Sequence, residues 1–273
     1  MRQYLKLARI GNVAIAFISV ECAGILCGVD VVRSWQILVT AIAASLVTAG
    51  GNAINDYFDV DIDRINRPGR PLASGSLSKR SVRVFYSLVT LGGLAASAAV
   101  NELTFIIAVG AAILVLLYSA KLKRTVFFGN FVVALVTGLA FIFGGAAVRN
   151  FSDVYPAAIF AFLTNLIREI IKDAEDVKGD SETGIRTIAT RYGTKTAEWL
   201  SLALTGVLLY IVWEAYRLSV LPVQFLAVCG LTILPISVYV SYLLVTRQDF
   251  SEASFGYKLI MIFGLVALVV GKV

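Results

Sequence analysis

Nine runs of predominantly apolar residues, separated by polar connections, constrain this chain more than any other feature. They lie at about 10–29, 35–54, 82–100, 103–120, 126–148, 154–171, 198–216, 221–245 and 255–272. A helix rising 1.5 Å per residue needs roughly 20 apolar residues to cover a hydrocarbon layer about 30 Å thick. Within lipid a chain must satisfy its own backbone polar groups, which makes such runs helices. The expected fold is therefore all-α: a polytopic membrane bundle of nine transmembrane helices, forming a single domain over residues 1–273. Composition agrees, since only 15% of residues are charged and 58% are hydrophobic, with a mean hydropathy of +0.82, whereas about a quarter of a soluble domain is charged. No cleavage-site pattern follows the first run, so it is expected to be a retained span and not a removed signal. Pro222 and Pro235 bracket much of the eighth run, where a kink or a broken helix is expected.

Charge sets the orientation. With the N-terminus cytoplasmic, twenty of the 24 basic residues fall in cytoplasmic segments, leaving Arg33, Arg149, Arg217 and Lys272 outside. That is the positive-inside pattern, and it expects a multi-pass protein of the cell membrane with a cytoplasmic N-terminus and an outer C-terminus. It also explains the net charge of +6 without nucleic acid, for which the chain has no soluble basic domain. The two long, charged connections, roughly 55–81 and 168–197, both lie on the cytoplasmic side. An active-site cavity is expected to open there.

Histidine is absent, which excludes a histidine-based triad, a haem histidine ligand and a histidine-containing zinc site. Proton transfer must rest on carboxylates, lysine, tyrosine or water. Cys22, Cys27 and Cys229 lie inside apolar runs without metal-type spacing and read as core residues.

Two acidic constellations remain. The first connection begins Asn55-Asp56-Tyr57-Phe58-Asp59-Val60-Asp61-Ile62-Asp63, and the second contains Asp173-Ala174-Glu175-Asp176-Val177-Lys178-Gly179-Asp180. Both contain D-x-x-D-x-x-x-D. On a helix, offsets of three and seven place Asp56, Asp59 and Asp63 on one face, and Asp173, Asp176 and Asp180 likewise, with Asp61 and Glu175 pointing elsewhere. Like charges at this spacing repel, and desolvation near a membrane adds to their cost. Mg²⁺, a hard cation that bridges carboxylates to substrate phosphates, would compensate them. One comb alone would read as a solvated face neutralised by Arg64, Arg67, Lys172 and Lys178. Its repetition, each time after an apolar run, favours a paired metal site that clamps a diphosphate. Neither segment has the loop of an EF-hand.

Basic residues surround the combs. Arg64, Arg67 and Arg70 follow the first, and Tyr118-Ser119-Ala120-Lys121-Leu122-Lys123-Arg124 closes the fourth run. Such groups donate charge-assisted hydrogen bonds to phosphate, although the positive-inside rule alone demands basic loops here. Lys121, nearest to the span, stands out. Arg9 and Asn12, at the start of the first run, are placed to meet a substrate head group. Glu21 lies deeper in that run, where packing and functional roles are both open.

The N-D-x-x-D-x-x-x-D and D-x-x-D-x-x-x-D pair on nine spans resembles the UbiA superfamily of intramembrane prenyltransferases, over nearly the whole chain. The resemblance implies that Asp56, Asp59, Asp63, Asp173, Asp176 and Asp180 bind Mg²⁺ and, with Asn55, hold the diphosphate of geranylgeranyl diphosphate or a similar polyprenyl donor. Arg67, Lys121 and Lys172 would hold or release the pyrophosphate, and Arg9, with Asn12, would face the acceptor. Apolar helices and membrane lipid would sheathe the prenyl tail. The stretches 61–75 and 168–180 are similar to the archaeal branch that adds a second geranylgeranyl chain to geranylgeranylglyceryl phosphate. Branches acting on quinone or chlorophyll precursors share Arg70-Pro71-x-x-Ser74-Gly75. Where close relatives often read Thr-Leu-Pro, this chain has Thr187-Ile188-Ala189, so an aromatic acceptor stays open beside the lipid phosphate. A divalent-cation or phosphate transporter is the rival of another class. Transporters need polar groups near mid-membrane, whereas the loops opposite the combs hold only Asp30, Glu102 and Asp153 as acids.

Overall fold

The computed structural model describes residues 1–182 and 184–272, without the side chains of Asn66 and Arg124. Thr183 and Val273, and the Arg124 side chain expected among the basic groups, lie outside the described residues. Every regular element among the described residues is helical.

Helix α1 (Arg2–Ala8) meets α2 (Ile10–Leu26) at a bend of 56°. Helix α3 (Trp35–Phe58) is capped by Ser34 and followed by α4 (Val60–Asn66). Ser78 caps α5 (Lys79–Val100), and a reciprocal Asn101–Thr104 capping box opens α6 (Glu102–Ala120). Then come α7 (Phe128–Ala147), α8 (Tyr155–Glu175), α9 (Val177–Glu182), α10 (Ile188–Tyr192), α11 (Thr194–Arg217), α12 (Val223–Val228), α13 (Leu234–Tyr242) and α14 (Phe250–Lys272).

Each expected apolar run lies on a helix or a series of helices, and the runs 35–54 and 154–171 continue as helix to Phe58 and Glu175. Seven segments are long and apolar enough to cross a membrane: α3, α5, α6, α7, α11, the series Val223–Arg247, and α14. The bent α1–α2 pair meets the same length and composition test only when its two helices are taken together. This is a multi-pass membrane protein. Helix α8 falls outside that group because its second half carries Arg168, Glu169, Lys172, Asp173 and Glu175. The break expected between Pro222 and Pro235 takes the form of a π turn, Cys229–Ile233, just ahead of Pro235 in α13. A proline ring collides with the carbonyl four residues earlier, and a wider turn relieves that collision.

Two compact units emerge, Met1–Leu122 with Leu139–Val154, and Lys123–Gly138 with Tyr155–Val273. In the first, the core around Val20, Ile37 and Phe143 is filled out by Ala41, Ala43, Ala44 and Ala108. A Cβ at Gly93 would stand 3.0 Å from the Ala43 carbonyl oxygen, so α3 and α5 approach almost to backbone contact. In the second unit α8 packs against α10, α11 and α14, with Leu166, Ile170 and Ala174 facing Ile188, Ala189 and Ala197. A Cβ at Gly138 would lie 2.8 Å from the Ala158 carbonyl oxygen. Lipid offers helices no hydrophobic drive to associate, so close packing through small residues carries the assembly.

Gly138→Ala is therefore expected to lose about 1–3 kcal/mol, as overpacking does, and to lower the thermal midpoint in detergent. Gly110→Ala, where a Cβ meets nothing within 4 Å, should match or exceed the wild-type midpoint. Equal melting of the two variants would mean that the α7–α8 approach is loose.

Candidate active site

The first comb does not lie on one uninterrupted helix, as its spacing suggested. Helix α3 stops at Phe58 and α4 begins at Val60, with Asp59 at the break (φ −93°, ψ 2°). Backbone bonds still follow the helical pattern, from the Asp59 N–H to the Asn55 carbonyl (3.0 Å) and from the Asp63 N–H to the Asp59 carbonyl (2.7 Å). Crowded like charges weaken a helix at the position they flank. Asp61 points away, as expected, and pairs at the surface with Arg64 (3.0 Å).

Two carboxylates of this comb are nearly inaccessible: Asp56 is 2% exposed and Asp63 5%. Arg9 donates to Asp56 Oδ1, and Arg70 Nη1 bridges Asp56 Oδ1 (3.1 Å) and Asp63 Oδ2 (2.5 Å). Arg9 occupies the bend between α1 and α2 in the left-handed region (φ 53°, ψ 70°), a strained state for a residue with a Cβ. Asn52 buttresses the bend by donating to the Ala8 carbonyl (2.8 Å) and accepting from Asn12 (3.3 Å). Burial pushes the Asp63 carboxyl above its ordinary value against the opposing pull of Arg70, and the charges of Asp56 and Asp59 push it further. The Asn55 Oδ1 is buried without a hydrogen-bond partner.

Beside Asp56 lies a cavity of about 330 Å³ lined by Lys6, Arg9, Asp56, Arg67, Gly69, Arg70 and Pro71. Arg67 ends α4. Lys121 ends α6, is exposed, and is not part of that lining.

The second comb repeats the interruption within its own unit. Helix α8 stops at Glu175, α9 begins at Val177, and Asp176 lies between them. The Asp176 N–H bonds the Lys172 carbonyl (2.9 Å) and the Asp180 N–H bonds the Asp176 carbonyl (3.0 Å). Asp173, beyond the apolar stretch of α8, accepts from Asn130 Nδ2 of α7 (2.7 Å). Burial pushes Asp173 up to about 7; Asn130 and Lys172 oppose the rise, while Glu169 and Asp180 add to it. Burial and the neighbouring Asp176 push Asp180 up to about 6, again against Lys172. Each comb thus places its middle aspartate at a helix break and withdraws other members from water.

Several residues escaped the sequence reading. Arg70 stood only among flanking positive charges, yet it joins two buried carboxylates. Asn130 bonds Asp173, Asn52 holds the bend that carries Arg9, and on α8 the Asn165 Nδ2 and Arg168 Nε are buried without partners. A detectable signal existed for the asparagines, because an amide inside an apolar run is costly unless it is used.

The donor chemistry fits Mg²⁺, with hard carboxylate oxygens and an unpartnered Asn55 carboxamide oxygen at the first comb. Among the described residues no three acidic side chains gather closely enough to hold an ion. Asp56 and Asp63 instead face guanidinium groups.

Residues 17–265 match the UbiA prenyltransferase family, and the chain belongs to it. The digeranylgeranylglyceryl phosphate synthase of Methanococcoides burtonii is 34% identical over 283 residues, covering 99% of this chain and 100% of that one. The synthase of Saccharolobus solfataricus is 32% identical, covering 100% of this chain and 97% of that one. A solved structure of digeranylgeranylglyceryl phosphate synthase superposes with a TM-score of 0.82 at 31% identity, covering 99% of this chain and 98% of that one. A UbiA homologue from Archaeoglobus fulgidus, bound to GPP and Mg²⁺, shares the fold at 21% identity, with a TM-score of 0.75 over 97% of this chain and 99% of that one.

Because breaking a buried ion pair strands a charge, Arg70→Gln is expected to destabilise the fold by about 3 kcal/mol. The double variant Asp63→Asn with Arg70→Gln should recover part of that loss in thermal unfolding. Additive losses would show that Arg70 and Asp63 are energetically independent.

Proposed function

We propose that this chain transfers a geranylgeranyl group from its diphosphate to geranylgeranylglyceryl phosphate in archaeal ether-lipid synthesis. It works as a single domain of nine transmembrane helices, with a cytoplasmic N-terminus, an outer C-terminus and a cavity open to the cytoplasm. The observation that carries the chemistry is the pair of combs, each broken at its middle aspartate, with Asp56 and Asp63 buried in the first and Asp173 and Asp180 half-buried in the second. Full-length likeness to curated synthases supports the acceptor.

In this reading Asp56, Asp59 and Asp63, with Asn55, and Asp173, Asp176 and Asp180 would hold Mg²⁺ and the donor diphosphate. Mg²⁺, when bound, offsets the charge that develops on the departing pyrophosphate. Arg67, Lys121 and Lys172 donate charge-assisted bonds to the diphosphate oxygens, favouring the state in which the allylic carbon–oxygen bond has broken. The acceptor hydroxyl then forms the new bond to that carbon and releases its proton, with Arg9 and Asn12 orienting the acceptor. Apolar helices sheathe the prenyl tail and keep water from capturing the carbocation. Donor and product stay in the bilayer, since each buried methylene contributes about 0.8 kcal/mol.

Purified protein in liposomes should prenylate geranylgeranylglyceryl phosphate when given geranylgeranyl diphosphate and Mg²⁺, and should stop when EDTA is added. Asp59→Asn and Asp176→Asn should each lower turnover by about 100-fold or more, as loss of a charge-stabilising group does. Unchanged turnover and unchanged Mg²⁺ dependence in both variants would remove the combs from the chemistry. Product from a hydroxybenzoate acceptor alone would move the enzyme to quinone precursors. Uptake of Mg²⁺ or phosphate without any prenyl product would make it a transporter. For orientation, a thiol-reactive, membrane-impermeant probe applied to intact cells should label a cysteine added at the C-terminus and spare one added at the N-terminus; the opposite labelling would invert the topology.

A further inference from the structure

The cavity beside Asp56 belongs wholly to the first unit, and its charges do not cancel. Four cations line it, Lys6, Arg9, Arg67 and Arg70, against the single carboxylate of Asp56. Arg9 is matched by Asp56, and Arg70 by Asp56 and Asp63 together. Those two guanidiniums and two carboxylates balance. Lys6 and Arg67 remain, neither in an ion pair among the described residues. The excess is thus two positive charges on a recess at the small end of the range for ligand cavities, roomy enough for a head group while the chains stay in lipid.

A phosphomonoester carries about −1.5 to −2 at neutral pH, and three acceptor oxygens with it. A carboxylate carries one charge and a free alcohol none. The cavity therefore suits a phosphomonoester better than either. Arg67 follows directly on the first comb and is assigned above to the diphosphate, which leaves Lys6 as the cation outside both combs. Lys6 itself is exposed at the rim of the cavity, but its backbone is fixed, because the next two residues of α1 are anchored: Leu7 is wholly buried and Ala8 nearly so. Asn52 of α3 then ties down the Ala8 carbonyl (2.8 Å).

We infer that Lys6 binds the phosphate of the acceptor and makes the site selective for a lipid phosphomonoester over an uncharged or carboxylate acceptor. The inference rests on the acceptor proposed above and assigns the residue that recognises it. Lys6 acts in binding and not in the bond-making step, so its removal should fall on one Michaelis constant.

The test uses the full chain in liposomes with two acceptors, geranylgeranylglyceryl phosphate and geranylgeranylglycerol, which differ only by the phosphate. Lys6→Gln is expected to raise the KM for the phosphorylated acceptor about 10- to 100-fold, the range for a hydrogen bond to a charged group. The kcat and the KM for geranylgeranyl diphosphate should be unchanged, which also shows that the variant is folded. Lys6→Arg should retain most of the affinity. With geranylgeranylglycerol, wild type and Lys6→Gln should be indistinguishable. Repeating the series in zwitterionic and in anionic vesicles separates acceptor phosphate from bulk headgroups: a KM shift equal in both supports the inference, and one confined to anionic vesicles overturns it. An equal shift for both acceptors, or a shift in the donor KM, also overturns it. Wild-type protein inert toward the phosphorylated acceptor would sink the proposed function itself, whereas active wild type with an unaltered Lys6→Gln sinks only the role of Lys6.

Discussion

Asp56 keeps its charge almost wholly out of water beneath two guanidinium groups, and much of the first unit is arranged around that contact. A buried carboxylate without a cation is costly enough to unfold or neutralise its surroundings. One guanidinium arrives through Arg9, held in a left-handed conformation that costs on the order of 1–3 kcal/mol by itself. The bend this produces exposes the Ala8 carbonyl, and Asn52 answers it from α3. The other arrives through Arg70, which the turn after α4 carries back onto Asp56 and Asp63. The bend, the buttress and the returning turn are separate local features with one electrostatic cause.

The same tension between apolar solvent and polar function separates α8 from its neighbours. Most of the long helices are apolar enough to face lipid, and they pack through alanine and glycine because close contact is the attraction available there. Helix α8 cannot follow them, for it carries Asn165, Arg168, Glu169, Lys172 and Asp173 on a single element. It has a strongly two-sided character, with Leu166, Ile167, Ile170 and Ile171 buried. Helices α11 and α14 pack against it. The helix that carries Asp173 thereby keeps its polar residues among other helices, which is where such residues are tolerated in an apolar surrounding.

The apolar runs were readable in the sequence because a span has a fixed length and a one-sided vocabulary, and the helices follow them to within a few residues at most ends. The two aspartate combs were readable by their spacing, and the curated relatives extend over the same full length. The interruptions at Asp59 and Asp176 were not, since a motif spaced for a helix implies a continuous one, and neither position carries proline or glycine to announce a stop. Arg70 was hidden for a different reason. Its role depends on a turn bringing residue 70 back to residue 56, and no periodicity encodes that return. Pro222 and Pro235 did mark the irregular helix, but a π turn and a kink look alike in sequence.

The two interruptions have the same mechanical consequence. Beyond Asp59 the chain continues as the seven residues of α4, and beyond Asp176 as the six of α9, both well below the length at which a helix stands by itself. Their order must come from contacts made by their side chains and from the hydrogen bonds that carry the helical pattern across each break. For α4 those contacts are the burial of Val60 among Leu7, Ala53, Leu72 and Val82 and the pairing of Asp63 with Arg70, so the charge that holds the comb also helps to hold the helix that carries its last carboxylate. A cation exchanged at Asp63 therefore acts on a segment that is marginal by length. An uninterrupted helix would have held the three carboxylates rigidly against one another. Breaking it at the middle aspartate leaves Asp63 and Asp180 on short segments separate from the long helices that carry Asp56 and Asp173.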